Sequence, residues 1–285
     1  MIVYSAEAEM SQWRDVIRAM LRGMMRSRYI AYRLAVKDIK AEYARSAFGM
    51  LWDFVDPLVL GLIFYWLAKM RAINPGNLEM PYALYVVYGL LLYQTFCDSL
   101  LLSVDSIHRS KVILTHLKLP PEAMILSVFF RVLFNSMFRI AIMLAFSLYM
   151  WRQASAQGLH GFSPTGFPLF VVASPLIILA GMSFGFFLAP FHAIYSDVGR
   201  VARIILNPLR YLSPVIFSFP ATGKALILYY ANPVFLVLKD LRLLAVSGEV
   251  SNLQGDLVWG GIYVVVFLAG WLVFHLSIPI LAERA

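Results

Sequence analysis

Charged side chains inside apolar runs are the residues of this chain with the clearest chemical potential. Asp98 lies within one apolar run, and Arg131, Asn135 and Arg139 recur at helical spacing on one face of another. A carboxylate in such a place can carry a proton or act in catalysis, and the arginines can attract an anionic substrate. The same residues can instead pair with one another and pack helices together. The sequence leaves both interpretations open.

Three further side chains could serve an enzyme that acts at a membrane surface, namely Asp53, Asp56 and His108. Both aspartates stand at the mouth of an apolar run, where a carboxylate still reaches water, whereas at mid-membrane each would cost roughly 2.5–3.5 kcal/mol. They are therefore predicted to mark an entrance into the membrane. The histidines show no metal-ligand spacing, so no metal site is predicted. No residue of the chain is assigned a catalytic role.

One short segment looks like the end of a nucleotide-binding phosphate loop. Thr222-Gly223-Lys224 has the terminal glycine and lysine, but Ser218 stands where the first glycine belongs and no hydroxyl residue follows the lysine. The chain is therefore not expected to bind ATP in this way. The single cysteine, Cys97, excludes an internal disulfide and is expected to be a small packing residue.

Composition indicates the class of protein. The chain is 61% hydrophobic and 14% charged, with a mean hydropathy of +0.74, whereas soluble domains have about 45–50% and about 25%. Runs of roughly twenty apolar residues can cross about 30 Å of hydrocarbon as helices. An all-α integral membrane protein with six transmembrane helices is predicted, with spans at about residues 54–68, 82–102, 124–151, 168–190, 201–219 and 257–281. No cleaved signal peptide is expected.

Several predicted spans carry residues that affect their packing. The polar stripe of the third span should face protein or water rather than lipid. The fourth span contains Gly181 and Gly185, which allow a neighbouring helix to approach closely. The fifth contains Pro208, Arg210 and Pro214 and should therefore be kinked.

Residues 1–50 are predicted to form a cytoplasmic, interfacial region that precedes a six-span domain over residues 51–285. Two amphipathic helical patterns occur in it, each with an apolar stripe beside cations. The stripes are Trp13, Ile17, Met20 and Met24 beside Arg14, Arg18, Arg22 and Arg26, and Tyr32, Val36, Ile39 and Tyr43 beside Arg33, Lys37 and Lys40. Such helices suit the surface of an anionic membrane. The alternative is a small soluble helical hairpin packed on itself.

An irregular segment at about residues 220–247 lies between the fifth and sixth predicted spans. It is apolar, but Asn232-Pro233 divides it into pieces too short to cross a bilayer. A re-entrant pair of helices is therefore predicted, and such broken helices are tolerated only in protein or along a cavity. This segment is a candidate gate. The alternative is a seventh span that is kinked at Pro233.

Basic residues indicate the orientation. Nine of the 24 Lys and Arg residues precede the first predicted span and three more lie between residues 103 and 122, whereas the loops at 70–81 and 152–167 have one each. By the positive-inside rule the N-terminus and the 103–122 loop are cytoplasmic. Six spans would return the C-terminus to the same side.

The order of several short motifs resembles a known family. These motifs are Gly49-Met50-Leu51-Trp52 with Pro57, Tyr88-Gly89-Leu90-Leu91, Lys118-Leu119-Pro120, Tyr195-Ser196-Asp197-Val198-Gly199-Arg200, Leu212-Ser213-Pro214-Val215 and Asn232-Pro233. Together they resemble the permease subunit of ABC exporters for bacterial surface polysaccharides, of the O-antigen and capsule type. The resemblance covers about residues 29–285 and leaves residues 1–28 outside the pattern. Leu92-Tyr93 stands where relatives often have a Pro-Trp pair.

This resemblance implies partners and a substrate. Such permeases work as homodimers with two separate ATP-binding subunits, so ATP and magnesium would belong to the partner and the permease itself would be no enzyme. The implied cargo is a glycan on a polyprenyl pyrophosphate lipid in the bacterial inner membrane. O-antigen is favoured over capsular polysaccharide or teichoic acid.

The resemblance also implies roles for particular residues. A coupling helix at about 104–118 would contact the ATP-binding subunit and receive its movement. The candidate residues for this contact are Ile107, His108, Arg109 and Lys111 in that helix, and Lys37 and Lys40 beside it. Spans one and five of two protomers would enclose the conduit, with Phe54, Tyr65, Tyr211 and Phe217 as candidate sugar-stacking aromatics. Each of these aromatics could equally be a packing residue. Arg28, Arg33 and Arg45 could bind the pyrophosphate, and attraction to the membrane surface explains them equally well.

Two rival classes of protein are compatible with the sequence. A gradient-driven carrier or channel would depend on Asp98, Arg131 and Arg139 and would need no ATPase. A membrane-embedded transferase would depend on Asp53, Asp56 or His108 and would form product without a partner.

Overall fold

A computed structural model describes residues 6–44, 52–70, 78–110, 120–156, 158–218, 227 and 231–283, and the regular elements it gives for them are all α-helices. We number them in chain order. They are α1 (Ala6–Arg26), α2 (Arg28–Tyr43), α3 (Trp52–Lys69), α4 (Tyr82–Val104), α5 (Pro121–Ala156), α6 (Gly166–Ala173), α7 (Pro175–Ile194), α8 (Asp197–Leu212), α9 (Phe235–Val246) and α10 (Leu253–Glu283). Residues 106–110 are also helical.

Four helical segments of the described chain are long and apolar enough to cross a membrane. They are Tyr82–Val104, Pro121–Arg152, Gly166–Ile194 and Leu253–Ile278, and the third combines α6 and α7. This agrees with the predicted all-α membrane class. The predicted count of six spans is not confirmed, because the apolar part of α3 found in the same way covers only Leu58–Leu67.

The fifth predicted span differs from the structure at its end. The prediction placed a kinked helix at about 201–219, but α8 begins at Asp197, continues through Pro208 and ends at Leu212. Residues 213–218 are not helical. Ser213 has an extended backbone, with φ −101° and ψ 157°, because the ring of the following proline disfavours the helical conformation. The helix therefore stops where the prediction expected it to bend.

Helix α4 forms the centre of the fold. Leu84, Tyr88 and Leu91 are fully buried on it, and α3, α5, α7, α8 and α9 all pack against it. A Cβ atom at Gly185 of α7 would lie 2.5 Å from the Leu100 carbonyl oxygen, and one at Gly181 would lie 2.6 Å from the Phe96 carbonyl oxygen. The predicted close approach at these two glycines is confirmed, and the neighbour they admit is α4.

The N-terminal helices do not fold back as a hairpin. Hydrogen bonds continue across Ser27, whose N–H donates to the Gly23 carbonyl and whose carbonyl accepts from the Ala31 N–H. Both α1 and α2 pack along α5, so the hairpin alternative is wrong. Packing on α5 buries only part of the predicted stripe of α1, since Met20 is 6% exposed and Met24 packs against the core, whereas Ile17 is 53% exposed.

The polar stripe of the third predicted span faces protein. Arg131, Asn135 and Arg139 on α5 are 7%, 8% and 1% exposed. The expectation that these side chains avoid lipid is therefore confirmed.

The close contact between α7 and α4 predicts a large difference between two glycine substitutions. Gly185→Leu should lower the free energy of unfolding by about 1–3 kcal/mol through overpacking. Gly261→Leu on α10 is the matched control, because no atom lies within 4 Å of its Cβ position and both variants gain similar helix propensity. Thermal unfolding in detergent, followed by size-exclusion chromatography, measures both. Equal midpoints for the two variants would contradict the packing described here.

Candidate functional site

The chain leaves the helical conformation after α8, at residues 213–218, and we call this segment the helix break. The helix break and its hydrogen-bond partners lie beside the N-terminal half of α4. Where α8 ends, the side-chain amide of Asn232 donates to the Leu212 carbonyl at 3.2 Å and to the Ser213 hydroxyl at 2.9 Å. The Asn232 side-chain oxygen accepts from the Val234 N–H at 3.0 Å. Asn232 thus joins the end of α8 to the turn that starts α9. Such bonds matter because hydrocarbon offers no water to unpaired backbone groups.

Arg242 of α9 supplies the second group of contacts at this break. Its side chain is fully buried at 1% exposure. The Nη2 atom donates to the Pro214 carbonyl, and the guanidinium lies 3.7 Å from the centre of the Tyr85 ring. A cation over an aromatic face at this distance is stabilising, the more so when water is excluded.

Gly89 allows the break to approach α4. A Cβ atom at this position would lie 2.3 Å from the Val215 carbonyl oxygen and 2.8 Å from Arg242 Nη2, so any larger residue would force the backbone apart. The Tyr85 hydroxyl donates to the Phe217 carbonyl at 3.0 Å, and the Tyr263 hydroxyl donates to the Pro233 carbonyl.

We call this set the junction cluster: Tyr85, Gly89, Ser213, Pro214, Phe217, Asn232, Pro233 and Arg242. Five of its members are landmarks of the sequence resemblance, and the structure brings them together although they are spread over about half of the chain. Tyr85 and Arg242 are the members that sequence reasoning missed. For Arg242 the available signal was a single arginine within the apolar helix that follows Asn232-Pro233.

A second cluster surrounds Asp105 at the opposite end of α4. Its carboxylate lies 3.4 Å from Arg203 of α8, 3.7 Å from Arg109 and 3.1 Å from His192 Nε2 of α7. His192 Nδ1 accepts a hydrogen bond from the Gly199 N–H at 3.1 Å. The imidazole proton must therefore lie on Nε2, from which it donates to Asp105. This cluster fixes the start of α8 against the ends of α4 and α7.

The predicted coupling segment adjoins this second cluster. Residues 106–110 are helical, Ile107 is buried and His108 Nε2 lies 3.0 Å from the His192 carbonyl. Lys111 and the rest of the predicted coupling helix up to 118 lie outside the described residues. The assignment of a coupling role to this segment stays a prediction.

Arg109 lies in a cleft that also contains Asp38 of α2 and Arg131 of α5. Burial lowers the pKa of the Arg109 guanidinium, and the positive charge of Arg131 acts in the same direction. Arg131 in turn binds Glu42 of α2 at 2.7 Å. Acidic residues of α2 thus contact this region, whereas Lys37 and Lys40 are exposed, and Lys40 lies instead along an apolar groove between α2 and α5.

Asp98 takes part in an ion pair that packs α4 against α5. It binds Arg139 Nη2, and Arg139 Nη1 also donates to the Thr95 hydroxyl at 3.1 Å. Arg131 does not share this pair, because it binds Glu42. Of the two interpretations that the sequence left open for Asp98, this geometry supports the packing role.

No ring contact joins the three candidate channel aromatics whose side chains the structure describes, Tyr65, Tyr211 and Phe217. Phe217 belongs to the junction cluster and makes an edge contact with Phe64 of α3 at 6.3 Å between ring centres. Tyr65 on α3 and Tyr211 on α8 are 38% and 54% exposed. The side chain of Phe54 lies outside the described residues.

The remaining candidates lie at the borders of the helices. Arg28 and Arg33 are exposed on α2, and Arg28 Nε donates to the Met25 carbonyl at 3.1 Å. Trp52 begins α3, Pro120 precedes α5, and Asp197 begins α8. Arg45 and the side chains of Asp53, Asp56 and Pro57 lie outside the described residues.

Four apolar helical segments of bilayer length in the described part of the chain are those expected of a multi-pass α-helical membrane protein. The relatives of the chain agree. It is 24% identical to the O-antigen export system permease protein RfbA of Klebsiella pneumoniae over 219 residues, which are 75% of this chain and 79% of the relative. It is 20% identical to the polysialic acid transport protein KpsM of Escherichia coli over 225 residues, 77% and 82% of the two chains.

A longer match joins the chain to the O-antigen export system permease protein RfbA of Myxococcus xanthus. The two are 20% identical over 264 residues, which are 90% of this chain and 95% of the relative. No protein-family model matches the chain. The relatives confirm the resemblance to permeases of ABC polysaccharide exporters that the sequence motifs indicated.

The junction cluster predicts that Asn232 contributes more to stability than an exposed asparagine on α8. Asn232→Ala removes the partners of the Leu212 carbonyl, the Ser213 hydroxyl and the Val234 N–H, so we expect a loss of about 1–3 kcal/mol in the free energy of unfolding. Asn207→Ala, at an exposed position of α8, should change it by less than about 0.5 kcal/mol. Thermal unfolding of both variants in detergent decides, and a difference that is absent or reversed would refute this role of Asn232.

The ion pair between Asp98 and Arg139 predicts a non-additive double variant. Asp98→Leu should cost about 1–3 kcal/mol, less than for a fully enclosed pair because 30% of the Asp98 side chain is exposed. Asp98→Leu combined with Arg139→Met should recover most of this loss, since no unpaired charge then remains buried. A double-mutant cycle on unfolding midpoints measures the coupling. Strictly additive losses would instead favour an independent role for Asp98.

Proposed function

We propose that this chain is the transmembrane subunit of an ATP-driven ABC exporter that moves a surface polysaccharide from the cytoplasm across the bacterial inner membrane. The observation that carries this proposal is the match to export permeases over 75–90% of the chain. O-antigen, carried on polyprenyl pyrophosphate, is the cargo we propose, after the two relatives named as O-antigen export permeases. A capsular polysaccharide is the alternative, because a polysialic acid transport protein also matches. A teichoic acid is a further alternative.

ATP hydrolysis would take place on two separate subunits, since this chain lacks a complete phosphate loop. The segment around 106–110 would receive their motion. From there the Asp105 cluster leads to Arg203 on α8, and α8 ends in the junction cluster. A displacement of the coupling segment would therefore reach the helix break through one helix of 16 residues and two sets of polar contacts.

The conduit would form between two copies of the chain. Helices α3 and α8 expose apolar side chains in the single chain, including Leu62 at 57%, Ile204 at 61% and Ile205 at 57%. These faces are available to lipid or to a second copy. Exposed aromatics such as Tyr65 and Tyr211 would stack weakly and repeatedly on sugar rings, as processive movement of a polymer requires.

The basic N-terminal region would lie on the cytoplasmic membrane surface, and both termini would be cytoplasmic. Six crossings in each protomer, with a re-entrant segment around Asn232-Pro233, remain part of this proposal. Arg28 and Arg33 are exposed on α2, where they can meet phosphate groups of the membrane or of the cargo.

Specific contacts weigh against the rival classes. A gradient-driven carrier would use Asp98 as a proton carrier, but that carboxylate is engaged in an ion pair with Arg139 at the contact between α4 and α5. For the transferase, His108 Nε2 contacts the His192 carbonyl at 3.0 Å, so only Nδ1 of this ring would be available for acid–base chemistry.

The proposed exporter predicts co-purification with an ATP-binding subunit. The full chain, tagged near its C-terminus and extracted from native membranes in mild detergent, should bring an ATPase in equal amount, identified by mass spectrometry and ATP hydrolysis. Arg109→Glu with Lys111→Glu should reduce the bound ATPase at least about tenfold, because charge reversal at a polar contact replaces attraction by repulsion.

The control is Arg18→Glu with Arg22→Glu, which changes the net charge equally on the exposed flank of α1 and should leave the ATPase bound. Absence of any ATPase beside a folded, dimeric chain would refute the exporter proposal. Equal loss in both double variants would refute only the proposed coupling segment.

A further inference from the structure

A cleft opens beside the junction cluster and is not used by the proposed conduit. It lies between α4, α9 and the segment before α4, and its polar lining consists of Glu79, Tyr85, Ser218, Lys239 and Arg242. The Pro214 backbone and apolar side chains complete its walls. Two cationic side chains of α9 therefore line one side of it.

Arg242 has no carboxylate partner among the residues that the structure describes. None of the ion pairs among the described residues includes it, and the sequence contains no Asp or Glu between Val198 and Lys239. The chain segment that forms the break, including its part outside the described residues, thus offers no negative charge to this guanidinium.

The contacts that Arg242 does make leave part of its guanidinium unpaired. One nitrogen donates to the Pro214 carbonyl and the plane of the group lies on Tyr85, but Nε and Nη1 have no hydrogen-bond partner among the described residues. A guanidinium stays charged in a protein, and a buried charge without partners is costly. Buried arginines with open donors are typical of sites for carboxylate or phosphate groups.

We propose that this cleft binds an oxyanion, a phosphate or a carboxylate, against Arg242, with Lys239 as a second positive charge. The site itself follows from the residues of the cleft. Only the source of the anion rests on the proposed function, under which either the pyrophosphate of the lipid carrier or an acidic sugar of the exported glycan would supply it.

Glu79 gives this proposal a gain-of-binding test. Its exposed side chain lines the same cleft, so its negative charge opposes a bound anion. Glu79→Gln should therefore tighten binding about threefold, and Lys239→Gln should weaken it about threefold, as expected for single charges near a protein surface. Neither substitution touches the Arg242 contacts that support the helix break.

The experiment measures binding of two probes, inorganic pyrophosphate and glucuronate, to the purified full chain in nanodiscs by isothermal titration calorimetry. Tighter binding by Glu79→Gln and weaker binding by Lys239→Gln support the proposal. Arg242→Gln should lose binding at least about tenfold. The matched control is Arg210→Gln, which removes an arginine that lies 5.8 Å over Tyr93, outside the cleft, and should leave binding unchanged.

The probe that binds more tightly identifies the source of the anion. Tighter binding of pyrophosphate indicates the lipid carrier, and tighter binding of glucuronate indicates the glycan. No binding of either probe, or binding that Glu79→Gln and Lys239→Gln leave unchanged, would overturn the proposal, even if Arg242→Gln does not fold. Because no ATPase and no transport enter this measurement, its failure would leave the proposed export function standing. Failure of export would equally leave the anion site standing.

Discussion

Backbone carbonyl groups at a helix break inside an apolar environment must find donors within the protein. This constraint explains the junction cluster, because α8 ends at Leu212 and the following residues are not helical. Asn232 and Arg242 provide the donors, and Gly89 gives the break room to approach α4. A residue with a side chain at position 89, or a shorter one at 232, would leave polar backbone groups of the break without partners in an environment that offers no water.

Helix α8 connects two polar clusters that lie at opposite ends of α4. At its start, Gly199 and Arg203 bind the His192 and Asp105 side chains, and at its end Leu212 binds Asn232. Both ends are therefore held by specific contacts, while its exposed face carries Val201, Ile204 and Ile205.

Features encoded locally could be predicted from the sequence. Composition predicted the membrane class. The spacing of Gly181 and Gly185 predicted a close contact with a neighbouring helix, and the polar stripe of α5 predicted that this side of the helix faces protein. The prediction extended the fifth span to about residue 219, whereas α8 ends at Leu212. The apolar residues after Ser213-Pro214 continue the apolar run of α8, so the sequence showed no end of the helix there.

Features that depend on distant contacts could not be predicted. Arg242, Pro214 and Gly89 lie far apart in the chain, so no local periodicity shows that they meet. Only part of the predicted α1 stripe is buried, because α1 packs on α5 through Gly23, where a Cβ atom would lie 2.5 Å from the Glu122 carboxylate. Met20 lies on this buried face, whereas Ile17 of the same stripe stays exposed.

Transport of a lipid-linked polysaccharide is the most direct test of the central claim. The measurement reconstitutes the chain with its ATP-binding subunit in proteoliposomes and follows the glycan by its exposure to an added glycan hydrolase on the far side of the membrane. For an ATP-driven exporter, exposure of the glycan should require ATP and disappear with a hydrolysis-deficient ATPase. Glycan movement that proceeds without ATP under an ion gradient, or no movement by an intact and ATP-hydrolysing complex, would contradict it.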